Sequence, residues 1–133
     1  METSANIIGI GIDLVEVQRM EKILASQHTH FLERVFTPEE RTYCDGKPHK
    51  AQHYAARFAA KEALMKALGT GWTAGITWAE IEVRRDAMGK PYLTLHGETA
   101  RAAEERGVRQ IHLSLTHTNC CAAAEVLLSG NFS

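Results

Sequence analysis

The chain opens on a short apolar run, Ile7 to Ile12, broken by Gly9 and Gly11 and closed by Asp13. A run of that length between polar residues predicts a buried strand. From Leu14 the period changes: Val17, Met20, Ile23 and Leu24 recur at three and four, which predicts a helix with Arg19 and Lys22 on its other side. Thr37-Pro38-Glu39-Glu40 reads as a helix start, because Thr37 can cap, Pro38 suits the first helical position and Glu40 completes a capping box. That helix should end near Cys44, with Asp45-Gly46-Lys47-Pro48 as a loop. Lys50 to Leu68 is the strongest helix: alanine-rich, free of glycine and proline, with Tyr54, Phe58, Met65 and Leu68 on one face. Gly69 is its stop signal, and Gly69-Thr70-Gly71 follows as a turn.

The second half alternates with period two. Ile81 and Val83 lie between Glu80, Glu82 and Arg84, as in a half-buried strand. Asp86 to Pro91 reads as a turn, with Tyr92, Leu93 and Leu95 on the returning strand. A short helix is expected from Glu98 to Arg106, closed by Gly107. Ile111, Leu113 and Leu115 form another alternating strand, Thr116 to Asn119 a polar turn, and Ala122 to Leu128 a last strand. The sum is an α+β fold, an antiparallel sheet packed against a long helix. No repeat, low-complexity tract or linker divides the chain, so residues 1–133 read as one domain, with its core at about 6–128.

Charge and cysteine content narrow the function classes. Fifteen basic and 16 acidic side chains leave a formal charge of −1, which argues against a general nucleic-acid binder. No apolar run approaches the roughly 20 residues of a membrane span. Met1 to Asn6 carries no basic residue, and Asp13 and Glu16 break the apolar stretch after it, so no signal peptide is expected. Cys44, Cys120 and Cys121 make a poor disulfide framework and are read as reduced thiols of a cytoplasmic protein.

Four places could carry chemistry, and each has two readings. Asp13 follows an apolar strand: it either caps the next helix or stands as a carboxylate held by the core beside it. On the long helix, Arg57, Lys61 and Lys66 form a basic stripe with Glu62 beside it. The stripe is either a solvated face, with Glu62 and Lys66 as an i, i+4 ion pair, or a surface for phosphates. In the second case Asp13 and Glu62 could share a magnesium ion with a diphosphate, since magnesium commonly takes one or two carboxylates plus phosphate oxygens and water. Gly89-Lys90-Pro91 is either a plain hairpin turn or a ligand contact, and Ser114-Leu115-Thr116-His117-Thr118 either a loop or a polar strand end that meets phosphate or a base edge. His49 and His53, spaced i, i+4 near Cys44, could suggest zinc but lack a paired-cysteine motif, while His28 and His30 would not share a helix face.

Five segments occur here in a telling order: Ile8-Gly9-Ile10-Gly11-Ile12-Asp13-Leu14-Val15-Glu16, Phe36-Thr37-Pro38-Glu39-Glu40, Arg57-Phe58-Ala59-Ala60-Lys61-Glu62-Ala63, Gly89-Lys90-Pro91 and Ser114-Leu115-Thr116-His117-Thr118. Together they resemble the holo-[acyl-carrier-protein] synthase family, the small single-domain class of 4′-phosphopantetheinyl transferases, from about Asn6 to Leu128. The resemblance implies a magnesium-dependent reaction. A serine of apo acyl carrier protein attacks the phosphorus next to the pantetheine arm of coenzyme A, adenosine 3′,5′-bisphosphate leaves, and the holo carrier supports fatty acid biosynthesis. It implies Asp13 and Glu62 as metal ligands and Lys66 as a catalytic neighbour of the diphosphate. Arg57, Lys61, Gly89, Lys90 and Pro91 match coenzyme A contacts, and Ser114, Thr116 and His117 match a segment that meets the nucleotide from a neighbouring subunit of a homotrimer. Arg19 matches a position that docks the acidic carrier protein, which suits a basic helix face. The base that takes the serine proton stays open between Glu62 and a metal-bound water. A non-catalytic module binding nucleotide or carrier protein on the same surface is the other class of reading, and a zinc-binding structural protein a third.

Overall fold

A computed structural model describes residues 6–26, 29–69 and 77–131. Thr70, Gly71 and His28 lie outside the described residues. The elements run β1 (Asn6–Glu16), α1 (Val17–Ala25), α2 (Thr29–Val35), α3 (Pro38–Asp45), α4 (Lys50–Leu68), a 3-10 turn (Trp78–Glu80), β2 (Ile81–Arg85), β3 (Pro91–Leu95), α5 (Gly97–Glu105), β4 (Val108–His117) and β5 (Cys121–Gly130). The main sheet is antiparallel in the order β1-β5-β4, so the first strand pairs with the last; β2 and β3 form a separate hairpin. This is the α+β arrangement expected from the sequence.

Helix α4 is the axis of the molecule and packs on β1 and β5. Thirteen of its 19 residues are buried, so it is covered on most sides and lacks one clean polar face. Its alanines make that possible, because Ala59, Ala60 and Ala63 leave the backbone free to sit close to the sheet. The fit is completed from β1: a Cβ at Gly9 would run into the Ala67 carbonyl, and one at Gly11 into the Ala63 carbonyl. On the sheet side, α4 buries Leu64 and Met65 with Val126 and Leu128. Each such aliphatic side chain contributes about 1.5–3 kcal/mol. A second cluster joins Val17 and Met20 of α1, Val35 of α2 and Phe36 to Tyr54, whose ring meets that of Phe36 edge-on at 4.9 Å.

Two expectations about the first strand are corrected. β1 does not end at Asp13; it continues to Glu16, and α1 starts at Val17 rather than Leu14. Asp13, Leu14 and Val15 find ladder partners in Ala124, Ala123 and Ala122, and that pairing overrides the local helical period. Asp13 therefore does not cap a helix. Nor is the strand buried on both faces: Ile10, Ile12 and Leu14 are 57%, 62% and 67% exposed. Helix α4 covers the other face, where alternation puts Gly9, Gly11, Asp13 and Val15.

Elsewhere the differences are small. The capping box forms as expected, with Glu40 N–H donating to Thr37 Oγ1 at 3.2 Å and Thr37 N–H to Glu40 Oε1 at 2.9 Å. Gly69 closes α4 in the left-handed region at φ 76°. Thr116 and His117, expected in a turn, pair with Ala123 and Ala122 as the end of β4. Helix α2 was not anticipated by the sequence pattern.

Candidate active site

Asp13 reaches its position because it follows the two glycines on the inner face of β1, where the strand runs along α4. Glu62 and Lys66, one helical turn apart, stand on the part of α4 that meets it. Asp13 and Glu62 wall one pocket of about 290 Å³. Lys66 Nζ donates to Asp13 Oδ1 and to the Ile12 carbonyl, both at 3.0 Å, and its side chain is half exposed. Glu62 does not pair with Lys66: its Oε2 accepts the indole N–H of Trp78 at 2.8 Å. The pocket is otherwise apolar, with Leu14, Met20, Ile23, Phe31 and Phe58 on its walls and Arg19 beside them. Among the described residues no three His, Cys, Asp or Glu side chains gather into a complete metal cage. Two carboxylates opening on a pocket can instead supply part of the shell of a hard cation, of the kind completed by substrate phosphates and water.

The basic stripe does not survive as one surface. Lys66, nine residues beyond Arg57, falls on the opposite side of the helix at about 100° per residue. Lys61 is the clearest correction: its side chain has no exposure and cannot touch a ligand. Its ammonium donates to Glu40 Oε1 at 2.8 Å and to the carbonyls of Trp78 and Ile81. Glu40 also accepts the Val83 N–H at 2.8 Å, so both its oxygens are engaged. Burial pulls the Lys61 ammonium below the ordinary lysine value, and Glu40 pulls it back up. The reason is packing: α3 and β2 close over this face of α4 and bring an anion with them.

Arg57 belongs to a different cluster. Its guanidinium lies 4.2 Å over the Tyr43 ring, and its buried Nε has no hydrogen-bond partner. Lys47 and Arg85 lie over the same ring at 4.7 Å and 5.3 Å. His53 meets Tyr43 at 5.9 Å between centroids and His117 at 5.8 Å. Burial, then Arg57 and His117, hold the His53 imidazole below its usual value. The Gly89 turn adjoins this cluster, because Arg85 lies against Gly89. Asp86 Oδ1 ties the turn together by accepting from the Met88 and Lys90 N–H groups, each at 2.9 Å. Pro91 starts β3 and Lys90 is exposed.

The β4 residues divide. His117 joins the Tyr43 cluster of its own chain. Ser114 and Thr116 are exposed, and alternation puts them on the face opposite Leu113 and Leu115, the same side as Ile12 and Leu14. The zinc constellation is not assembled: Cys44 is fully buried, with burial pushing its thiol up to about 12. Sequence reasoning missed Trp78, Tyr43, Lys47 and Arg85. An indole beside a carboxylate leaves no spacing signal, and the three cations gather on Tyr43 only after α3, α4 and β2 pack.

The profile of the 4′-phosphopantetheinyl transferase superfamily matches residues 9–124. The holo-[acyl-carrier-protein] synthases of Geotalea daltonii and Solibacter usitatus are 45% and 48% identical over 122 residues, spanning 92% of this chain and 98% of each relative. The crystal structure of a holo-(acyl-carrier-protein) synthase from Bacillus anthracis, in complex with CoA (3′,5′-ADP), superposes with a TM-score of 0.76 at 38% identity, covering 94% of this chain and 98% of that one. The chain therefore belongs to the 4′-phosphopantetheinyl transferase superfamily, as a member of its holo-[acyl-carrier-protein] synthase family.

Proposed function

We propose that this chain transfers the 4′-phosphopantetheine group from coenzyme A to a serine of apo acyl carrier protein, with magnesium held by Asp13 and Glu62. The observation that carries this reading is the shared pocket: two carboxylates from different elements, one of them paired with the Lys66 ammonium. Asp13 and Glu62 would hold the magnesium ion, which when bound would supply neutralisation of the donor diphosphate's charge. Asp13 and Glu62 hold the cation against a rigid strand and helix. Lys66, already within hydrogen-bond reach of Asp13, stabilises negative charge on the leaving phosphate. The serine oxygen bonds to the phosphorus beside the pantetheine arm as the bond to adenosine 3′,5′-bisphosphate breaks. The serine proton passes to Glu62 or to a water.

Other features support the substrates. Lys47 and Arg85, exposed around Tyr43 above the buried Arg57, form a cationic cluster suited to the phosphates of coenzyme A, to which Arg57 adds its charge from beneath, and Gly89, Lys90 and Pro91 border it. Arg19, exposed beside an apolar pocket wall, suits an acidic carrier protein that also buries apolar side chains. The exposed Ile10, Ile12 and Leu14 form an apolar strip of the kind a monomer seldom leaves bare, which supports self-association, read here as a homotrimer. Ser114 and Thr116, on that same face, would then meet the nucleotide of a neighbouring subunit, whereas His117 borders the cationic cluster of its own chain. The setting is fatty acid biosynthesis in the cytoplasm; among the described residues no helix is long and apolar enough to cross a membrane.

The deciding experiment is mass spectrometry of an apo carrier protein incubated with this chain, coenzyme A and magnesium. A gain of one phosphopantetheine mass with release of adenosine 3′,5′-bisphosphate is expected. Binding without either product would instead favour a non-catalytic module. Asp13→Asn and Glu62→Gln should each abolish turnover and leave the fold intact.

A further inference from the structure

Two consecutive residues of α4 hold the same distant residue by its two ends. Lys61 Nζ donates to the Trp78 carbonyl at 3.1 Å, and the Trp78 indole N–H donates to Glu62 Oε2 at 2.8 Å. Lys61 is itself locked by Glu40 at 2.8 Å with no exposure, so the backbone of Trp78 is tied to the core. The ring is braced from the side by Phe58, centroid to centroid at 6.0 Å. Successive helical residues point about 100° apart, so one helix grips the Trp78–Glu80 turn from two directions.

We propose that Trp78 is a positioning residue for the transfer reaction, fixing the Glu62 carboxylate so that its second oxygen is presented to the metal. This rests on the reading of Glu62 as a metal ligand. An indole is a donor only and carries no charge. It orients a carboxylate without offering a rival cation, unlike the Lys66 ammonium on Asp13. Outer partners of ligating carboxylates typically change metal affinity by about 10–100-fold when removed. Lys61, read from the sequence as a ligand contact, acts at one further remove: it anchors the residue that orients Glu62.

The test compares Trp78→Phe, which keeps a ring but removes the N–H, with Glu62→Gln. Binding of Mn²⁺ in the presence of coenzyme A is followed by electron paramagnetic resonance. Trp78→Phe should weaken Mn²⁺ at least about tenfold. It should also raise the Mg²⁺ concentration for half-maximal turnover, while turnover at saturating Mg²⁺ recovers. Wild-type Mn²⁺ affinity in Trp78→Phe, with affinity lost in Glu62→Gln, overturns this inference alone. Wild-type affinity in Glu62→Gln overturns the metal reading and this inference with it. A readout on the unaltered chain guards against a variant that does not fold. The indole N–H resonance of Trp78, in the coenzyme A complex, should shift as Mg²⁺ is added and saturate with metal binding. A resonance that stays still through saturation overturns the proposal.

Discussion

Lys61 and Glu40 meet at 2.8 Å in the interior, and neither side chain has any exposure. Removing one partner leaves the other charge buried and uncompensated, which costs about 3–5 kcal/mol. Lys61→Met should therefore lower the melting temperature by about 10 °C or more. Pairing it with Glu40→Met removes the stranded carboxylate, although the Val83 N–H loses its acceptor as well. The double variant should still melt above the single one in a thermal denaturation series. A single variant as stable as the parent would mean the pair is not formed.

The approach of β1 to α4 gives a sharper geometric test. Gly11→Ala puts a methyl group into the Ala63 carbonyl, and neither backbone can yield without moving Asp13 relative to Glu62. Overpacking of this kind costs about 1–3 kcal/mol. Gly46→Ala is the control, because a Cβ there makes only ordinary contacts, to Thr42 O at 3.5 Å and Tyr43 O at 3.7 Å, and the backbone stays at negative φ. That variant should remain within about 0.5 kcal/mol of the parent. Chemical denaturation checks both, and equal stabilities would refute the close approach.

The long helix was legible because its signals are local: alanine content, no glycine or proline, and a glycine stop that takes positive φ as expected. The hairpin turn at Gly89 and the capping box at Thr37 were legible for the same reason. What escaped is set by tertiary pairing. Asp13 sits in a stretch whose period is helical, and only its Ala124 partner on the last strand keeps it extended. The isoleucines of β1 looked buried because apolar runs usually are, whereas here the glycines between them face the core. Glu40 announced its capping role through a three-residue spacing. Its bond to Lys61 spans 21 positions and has no sequence signature. Asp13 and Glu62 became a candidate pair through the order of motifs; their common pocket depends on glycines whose role no periodicity conveyed.

The cysteines should differ in reactivity. Burial pushes the Cys44 thiol up to about 12, so almost no thiolate exists near neutral pH, and the sulfur is also inaccessible. Cys120 is exposed. Iodoacetamide applied to the native protein at neutral pH should label Cys120 and leave Cys44 untouched until denaturant is added. Peptide mass mapping distinguishes the two sites, and rapid native labelling of Cys44 would contradict its place in the core.

His53 offers a pH test of the cationic cluster. Its imidazole is held below the ordinary 6.5, first by burial and then by Arg57 and His117. As pH falls below about 6.5 the unfolded chain takes up this proton before the folded chain does. The contribution of His53 to stability is therefore complete above that value and is lost as pH drops through the folded one. His53→Gln should flatten the pH dependence of unfolding in that window, and an imidazole titration followed by magnetic resonance should place His53 below a free histidine. Coenzyme A gives the sign reversal that ties this to function. Phosphates docked against Lys47 and Arg85 would offset the positive field that adds to burial in holding His53 down, so its titration should move upward in the complex. A titration that does not move on coenzyme A binding would separate the Tyr43 cluster from the donor site and leave Asp13 and Glu62 as the part still to be tested.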